Sequence, residues 1–147
     1  AAALYRWHQF KGCSLSLKKA DTLLKKIIDN QSEEGWYLEY EGPDPGYQSL
    51  CTYYLSDIYL ITNKLDLLAS LKKSADFLSH FLHPDGSFGG TYGSRSTRFY
   101  YPGGVVSLSN KIDSFNQMKG ILEDSILNNL VVNLSSIDEP NLIPLFT

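Results

Sequence analysis

Cysteine is nearly absent from this chain. Cys13 and Cys51 are the only two in 147 residues, so no disulfide framework can staple the fold, and a reducing compartment is weakly favoured. Histidine is almost as scarce, and His8, His80 and His83 have no partners at metal-ligand spacing, so neither a metal nor another cofactor is expected. No run of about 18 apolar residues occurs, which excludes a spanning helix. The opening AAALYRWHQF also lacks the apolar core of a signal peptide, which tips the expected location toward the cytoplasm without fixing it. Basic excess is missing too. Thirteen Lys and Arg against 16 Asp and Glu give a formal charge of -3, which argues against a nucleic acid or anionic membrane held by bulk electrostatics. A local arginine pair could still bind an anion. What the chain has in quantity is aromatic rings, 13% of its residues.

Three stretches carry the stripe of an amphipathic helix. Ala20, Leu23, Leu24, Ile27 and Ile28 recur at helical spacing with Lys18, Lys19, Lys25 and Lys26 between them. Leu67, Leu68, Leu71, Ala75, Leu78 and Leu82 repeat the pattern. Met118, Ile121, Leu122, Ile126 and Leu130 give a third, with Ser114 and Gln117 placed as a capping box. A different helix lies between the first two. Asp44-Pro45 reads as an N-cap followed by proline at the first helical position, and from Tyr47 to Ile61 apolar residues fall on nearly every side. These patterns predict helices over 15–30, 46–62, 65–82 and 115–132, with 46–62 the most buried and both Tyr54 and Ile58 inside.

The connections repeat as well. NQSEEGWYLEY follows the first amphipathic helix and HPDGSFGGTYG the second, each giving an acid, a glycine and then an aromatic, with Asp85 lying 51 residues after Glu34 and Gly86 the same distance after Gly35. SSIDEPNLI, with Asp138, is a degraded third copy. A period near 50 with two helices per unit implies an all-α fold of stacked antiparallel helical hairpins, each burying its face on its neighbours. The whole chain, 1–147, then forms one helical-repeat domain.

Alternating helices joined by these glycine-aromatic turns resemble the (α/α) toroids. That group includes polysaccharide lyases of the heparinase II/III and alginate-lyase type, unsaturated glucuronyl hydrolases, terpenoid cyclases and prenyltransferases. QSEEGW is similar to the tryptophan turn of the cyclases, and HPDGSFGG to turns in both groups. The resemblance covers roughly residues 15–104, and GGTYGSRSTRFYYPGG turns it toward the lyases, since neither an Asp-rich cyclase acid motif nor a prenyltransferase zinc set is present. A full toroid needs about six hairpins. This chain holds about three, so the resemblance implies a partial toroid, one section of a longer protein, whose uncovered apolar edge would promote self-association.

In toroids of this kind the connections entering the inner helices line the mouth of the cavity. The first such loop offers Tyr37, Glu39, Tyr40, Glu41, Asp44 and Tyr47; the second, 83–104, offers Tyr92, Arg95, Arg98, Tyr100 and Tyr101. Tyrosines give flat faces on which sugar rings stack, and arginine forks hold carboxylate or sulfate. The implied partner is an anionic oligosaccharide or polysaccharide. For β-elimination at a uronate, Arg95 would clamp the carboxylate and Tyr92 or Tyr100 would serve as acid or base, with Tyr37, Glu39, Asp44, Tyr47, Arg98 and Tyr101 binding substrate. Asp57, the one acid in YQSLCTYYLSDIYLI, must pair or face a polar cavity, and is a further binding candidate. Other readings stay open: a non-catalytic helical-repeat module binding a glycan or a protein, a glycoside hydrolase using Glu39, Glu41 or Asp44, and a terpenoid-cyclase-like toroid.

Overall fold

A computed structural model describes residues 1–39, 41–88 and 101–130 of the chain. These are mostly helical, and only isolated β-bridges stand in for strands among them. The helices are α1 (Ala2–Lys11), α2 (Ser14–Asp29), α3 (Pro45–Thr62), α4 (Leu65–Ser79), α5 (Gly103–Ser107) and α6 (Asp113–Leu127). Each odd-numbered helix packs on the even one that follows it. The odd helices also neighbour one another in order, α1 on α3 and α3 on α5, as do α2 on α4 and α4 on α6.

The stripes read from the sequence become α2, α4 and α6. In α4 the buried positions are Leu67, Ser70, Leu71, Ser74, Ala75 and Leu78, an i, i+3, i+4 series whose fully enclosed leucines are each worth about 1.5–3 kcal/mol of transfer free energy. On α6 the stripe narrows to Phe115, Met118, Leu122 and Ser125; Ile121, Ile126 and Leu130 stand exposed. The expected capping box is replaced. Helix α6 starts at Asp113 after Ile112, and the Ser114 hydroxyl instead donates to Asp76 on α4 at 2.5 Å. The Asp44 cap forms as expected, its carboxylate accepting from the Tyr47 amide at 2.9 Å ahead of Pro45.

Helix α1 has no counterpart in the sequence reading because it buries one residue outright, Tyr5, and so shows no stripe. It ends at Gly12 in the left-handed conformation, φ 66°, the usual glycine stop. Helix α5 was likewise not predicted; its five residues are too few for a period.

Helix α3 is the most buried, as its composition predicts, but its orientation corrects the expectation. Its enclosed side is largely polar: Gln48, Ser49, Thr52 and Ser56 lie inside together with Leu55, Ile58 and Tyr59. Tyr54, expected inside, is 46% exposed, and Leu60 is 53% exposed. Small polar residues win the interior because they let backbones approach. The Gly104 position on α5 lies so close to α3 that a Cβ there would sit 2.8 Å from the Tyr53 Cα, and Ser56 Oγ donates to the Gly104 carbonyl at 3.4 Å.

Gln48 organises this side. Its Nε2 donates to the Gly35 carbonyl at 3.0 Å and to Ser74 Oγ at 2.8 Å, while Oε1 accepts from the Tyr37 amide at 2.8 Å. One carboxamide thus ties the 31–37 turn to both α3 and α4. Around it, Thr52 and Ser74 hydroxyls pair at 2.7 Å, Tyr37 and Ser70 hydroxyls at 2.7 Å, and Gln31 Nε2 donates to the carbonyls of Gly35 and Ser70.

The two glycine turns have matching geometry. In the first, Ser32 N–H donates to Trp36 O and Gly35 N–H to Ser32 O; in the second, His83 N–H donates to Ser87 O and Gly86 N–H to His83 O. Bridges Gln31–Tyr37 and Leu82–Phe88 close them, and Tyr37 and Phe88 are both buried. Gly35 and Gly86 have φ of 99° and 80°. A side chain at Gly35 would collide with the Lys73 carbonyl on α4, and one at Gly86 with Ser125 on α6.

Two outcomes follow for stability. Gly35→Ala combines a positive φ with a backbone collision and is expected to cost about 2 kcal/mol or more in denaturant unfolding. Gln48→Glu keeps the acceptor but loses the amide donors and buries a charge, so its unfolding free energy should fall well below that of the wild type at pH 7. The folded-state pKa of such a buried carboxyl lies above its unfolded value, so the deficit should shrink as pH drops toward 4. A deficit that is constant with pH would show that Gln48 acts through shape alone.

Candidate functional site

The two connections entering α3 and α5 reach the same end of the odd-numbered row. Tyr101 donates its N–H to Ser49 Oγ at 3.1 Å, and Ser49 in turn donates to the Gly46 carbonyl at 2.7 Å, in the first turns of α3. Tyr47 stands two residues before Ser49, and both Tyr47 and Tyr101 are half-buried. Gly103 comes next, so close to α3 that a Cβ there would lie 2.8 Å from the Tyr53 ring. The end of the second loop is therefore seated on the beginning of α3, beside Asp44 and Tyr47.

The predicted site residues divide as follows. Tyr92, Arg95, Arg98 and Tyr100, with Tyr40, lie outside the described residues. Glu39 and Glu41 are exposed at the first loop, whose tip is closed by the reciprocal bonds between Glu39 and Gly42. Asp44 is engaged as the α3 cap. Tyr37 is enclosed, 7% exposed, with its hydroxyl on Ser70, and burial raises its phenol well above the usual range. In this structure Tyr37 acts as a core residue rather than a surface for a ligand.

Asp57 has a partner that its own neighbourhood in the sequence does not reveal. Arg6, from the unpredicted α1, grips it with both Nε and a terminal nitrogen, the former at 3.1 Å, and the carboxylate keeps the guanidinium more firmly protonated. The pair bridges α1 and α3, with side-chain exposures of 58% for Arg6 and 26% for Asp57. Cys51, on the same helix, is half-buried. Burial pushes its thiol up to about 12, and the Glu39 charge adds to the shift, as suits inert packing rather than a nucleophile. His80 caps α4 through Nδ1 to the Asp76 carbonyl at 2.8 Å, and His83 contacts Ser87 Oγ at 2.9 Å. Among the described residues no cluster of His, Cys, Asp and Glu could hold a metal.

A concavity of about 230 Å³ lies between α2 and the α3–α4 turn, lined by Asp21, Leu24, Lys25, Ile28, Asp29, Lys64 and Asp66. Both of its lysines are paired with its aspartates, and Asp66 accepts from the Leu67 amide. Tyr5 donates to Asp21 at 2.6 Å, Lys64 pairs with Asp21 at 3.2 Å, and Lys25 with Asp29 at 2.9 Å. The Tyr5 hydrogen bond, with help from Lys64, holds the Asp21 carboxyl below its usual range. A depressed carboxyl stabilises the fold above its unfolded pKa, near 3.9, and that stabilisation disappears as pH falls through the folded value. Tyr5→Phe should therefore cost about 1 kcal/mol at pH 7, and its unfolding curve should converge with the wild-type curve below about pH 4. A pH-independent difference would assign the effect to packing alone.

Compared with protein-family models, with curated proteins and with solved structures, the chain finds no significant match in any of the three.

Proposed function

We propose that the chain is a section of an (α/α) toroid, with α1, α3 and α5 as inner helices and α2, α4 and α6 as outer ones, and that it acts on an anionic polysaccharide at the end where its two long connections meet. The observation that carries this reading is the seating of Tyr101 on Ser49. It seats Tyr101, at the far end of the second connection, on the first turns of α3, which Asp44 caps. The neighbour order of the helices is the one that a two-layered ring section would have.

The residue types suit β-elimination at a uronate. Arg95 neutralises the sugar carboxylate, which acidifies the adjacent C–H; Tyr92 or Tyr100 takes that proton or delivers one to the departing glycosidic oxygen, leaving an unsaturated ring. The carboxylate pair of a glycoside hydrolase is less well supplied, because Asp44 is spent on the helix cap.

The test is an assay for unsaturated product on a panel of acidic polysaccharides, with Arg95→Lys as the diagnostic variant. A lysine keeps the charge but not the planar fork. Turnover is expected to fall at least about tenfold, equivalent to roughly 1.4 kcal/mol, with the melting temperature unchanged. Binding without product would convert the reading to a non-catalytic glycan module. Unaltered binding and turnover in the variant would remove Arg95 from the site.

A further inference from the structure

The spacing of 51 residues that relates the two glycine turns also relates the helices of the even-numbered row, and burial follows it. Ser16, Leu67 and Met118 form one column across α2, α4 and α6, and Ala20, Leu71 and Leu122 a second; all six are buried. The third column breaks at its end. Leu24 is 2% exposed and Ala75 0%, but Ile126 is 56% exposed, and Leu127 and Leu130 stand open near it. A fourth column breaks at its beginning: Ser74 and Ser125 are buried, whereas Leu23 on α2 is only half-buried. Helix α4 packs between α2 and α6, which stand at the two ends of the row. The register makes the open positions the two sides of one repeated contact, with Ile126 lacking a following hairpin and Leu23 a preceding one.

We propose that a second copy of this chain fills both vacant sides, the α2 edge around Leu23 of one copy packing on the α6 edge around Ile126 of the other. Continuity supports this, because the contact repeats one that the chain already makes twice, α2 on α4 and α4 on α6. Charge complementarity sets the orientation. Lys19 and Lys26 flank Leu23 at i−4 and i+3, both exposed, and α2 carries four lysines against two aspartates. Glu123 precedes Ile126 at i−3, also exposed, and α6 carries three acids against one lysine. A head-to-tail contact joins the basic edge to the acidic one, while like edges meeting would repel. An anionic surface would suit the α2 edge alone and leave Ile126 in water.

A head-to-tail contact either closes on itself or runs on as a filament. In the toroid reading, on which this proposal rests, the chain holds about three hairpins of a ring of about six. Two copies then complete the ring through two equal contacts, with no edge left open.

Sedimentation equilibrium of the 147-residue chain is expected to show monomer and dimer and nothing larger. Leu23→Glu sets an acid against Glu123, and Ile126→Lys a cation against Lys19 and Lys26, so each variant alone should weaken the pair about tenfold or more. Mixed in equal amounts the two should pair again at near wild-type strength, because one contact of the mixed pair is native and in the other the two new charges attract. Circular dichroism and melting temperature of the dilute variants should match those of the dilute wild type. A wild type that stays monomeric at every concentration, or variants that pair no better mixed than alone, overturns the proposal. So does a variant that loses helical signal, which would make its residue part of the core rather than an edge. An open series of oligomers would overturn the closed pair and the half-ring curvature of the toroid with it. A monomer that still forms unsaturated product would overturn the pair and leave the toroid-enzyme reading standing.

Discussion

The carboxamide of Gln48 is the constraint on which the rest of this fold turns. Among neutral side chains only an amide can accept one hydrogen bond and donate two from a single planar group, and all three are used at once here, on Tyr37, Gly35 and Ser74. The consequence is rotational. With Gln48 held inward, α3 has no freedom to turn about its axis, so Thr52 and Ser56 must follow it inside. Tyr54 and Leu60, turned away from that side, are then left exposed. The exposure of Tyr54 is thus set by hydrogen bonds made elsewhere on the helix surface. Such a network is stable only when complete, because each buried partner left unpaired costs more than the bond itself contributes.

Much of the architecture was legible beforehand, and the reasons are specific. Helices α2, α4 and α6 each bury one stripe of a mixed helix, and a stripe carries phase as well as period. Asp44-Pro45 announced the start of α3 because cap chemistry is local. The glycine-aromatic turns were visible because Gly35 and Gly86 occupy backbone conformations that few other residues adopt, so the positions show in the sequence itself. Helix α3 defeated the same method. When apolar residues fall on every side, hydropathy holds no phase, and the choice of inner face is made by size and hydrogen bonding instead. The spacing of Gln48, Thr52, Ser49 and Ser56 was the available clue, a small-polar stripe at helical intervals. The site was less legible than the fold. Arg6 finds Asp57 across 51 positions of sequence, and no local pattern encodes that meeting.

The two turns share a backbone but not a lining. The first is locked by amides and hydroxyls, with Tyr37 hydroxyl-bonded to Ser70. In the second, Phe88 occupies the place of Tyr37, and Ser125, pressed against Gly86, keeps a buried hydroxyl with no partner among the described residues. A polar latch and an apolar one respond differently to temperature, since apolar burial strengthens on warming from the cold while hydrogen-bonded contacts do not share its heat-capacity signature.

The anchoring of the second connection at both ends has a consequence in polymer terms. Phe88 is buried and bridged to Leu82 on one side; on the other, Tyr101 is tied to Ser49 and Gly104 lies against the backbone of α3. Both anchors belong to the folded core, so the entropy of bringing them together is part of the folding free energy. Adding a few residues between them would change that contribution only logarithmically, leaving the seating of α5 on α3 nearly unaffected in free energy.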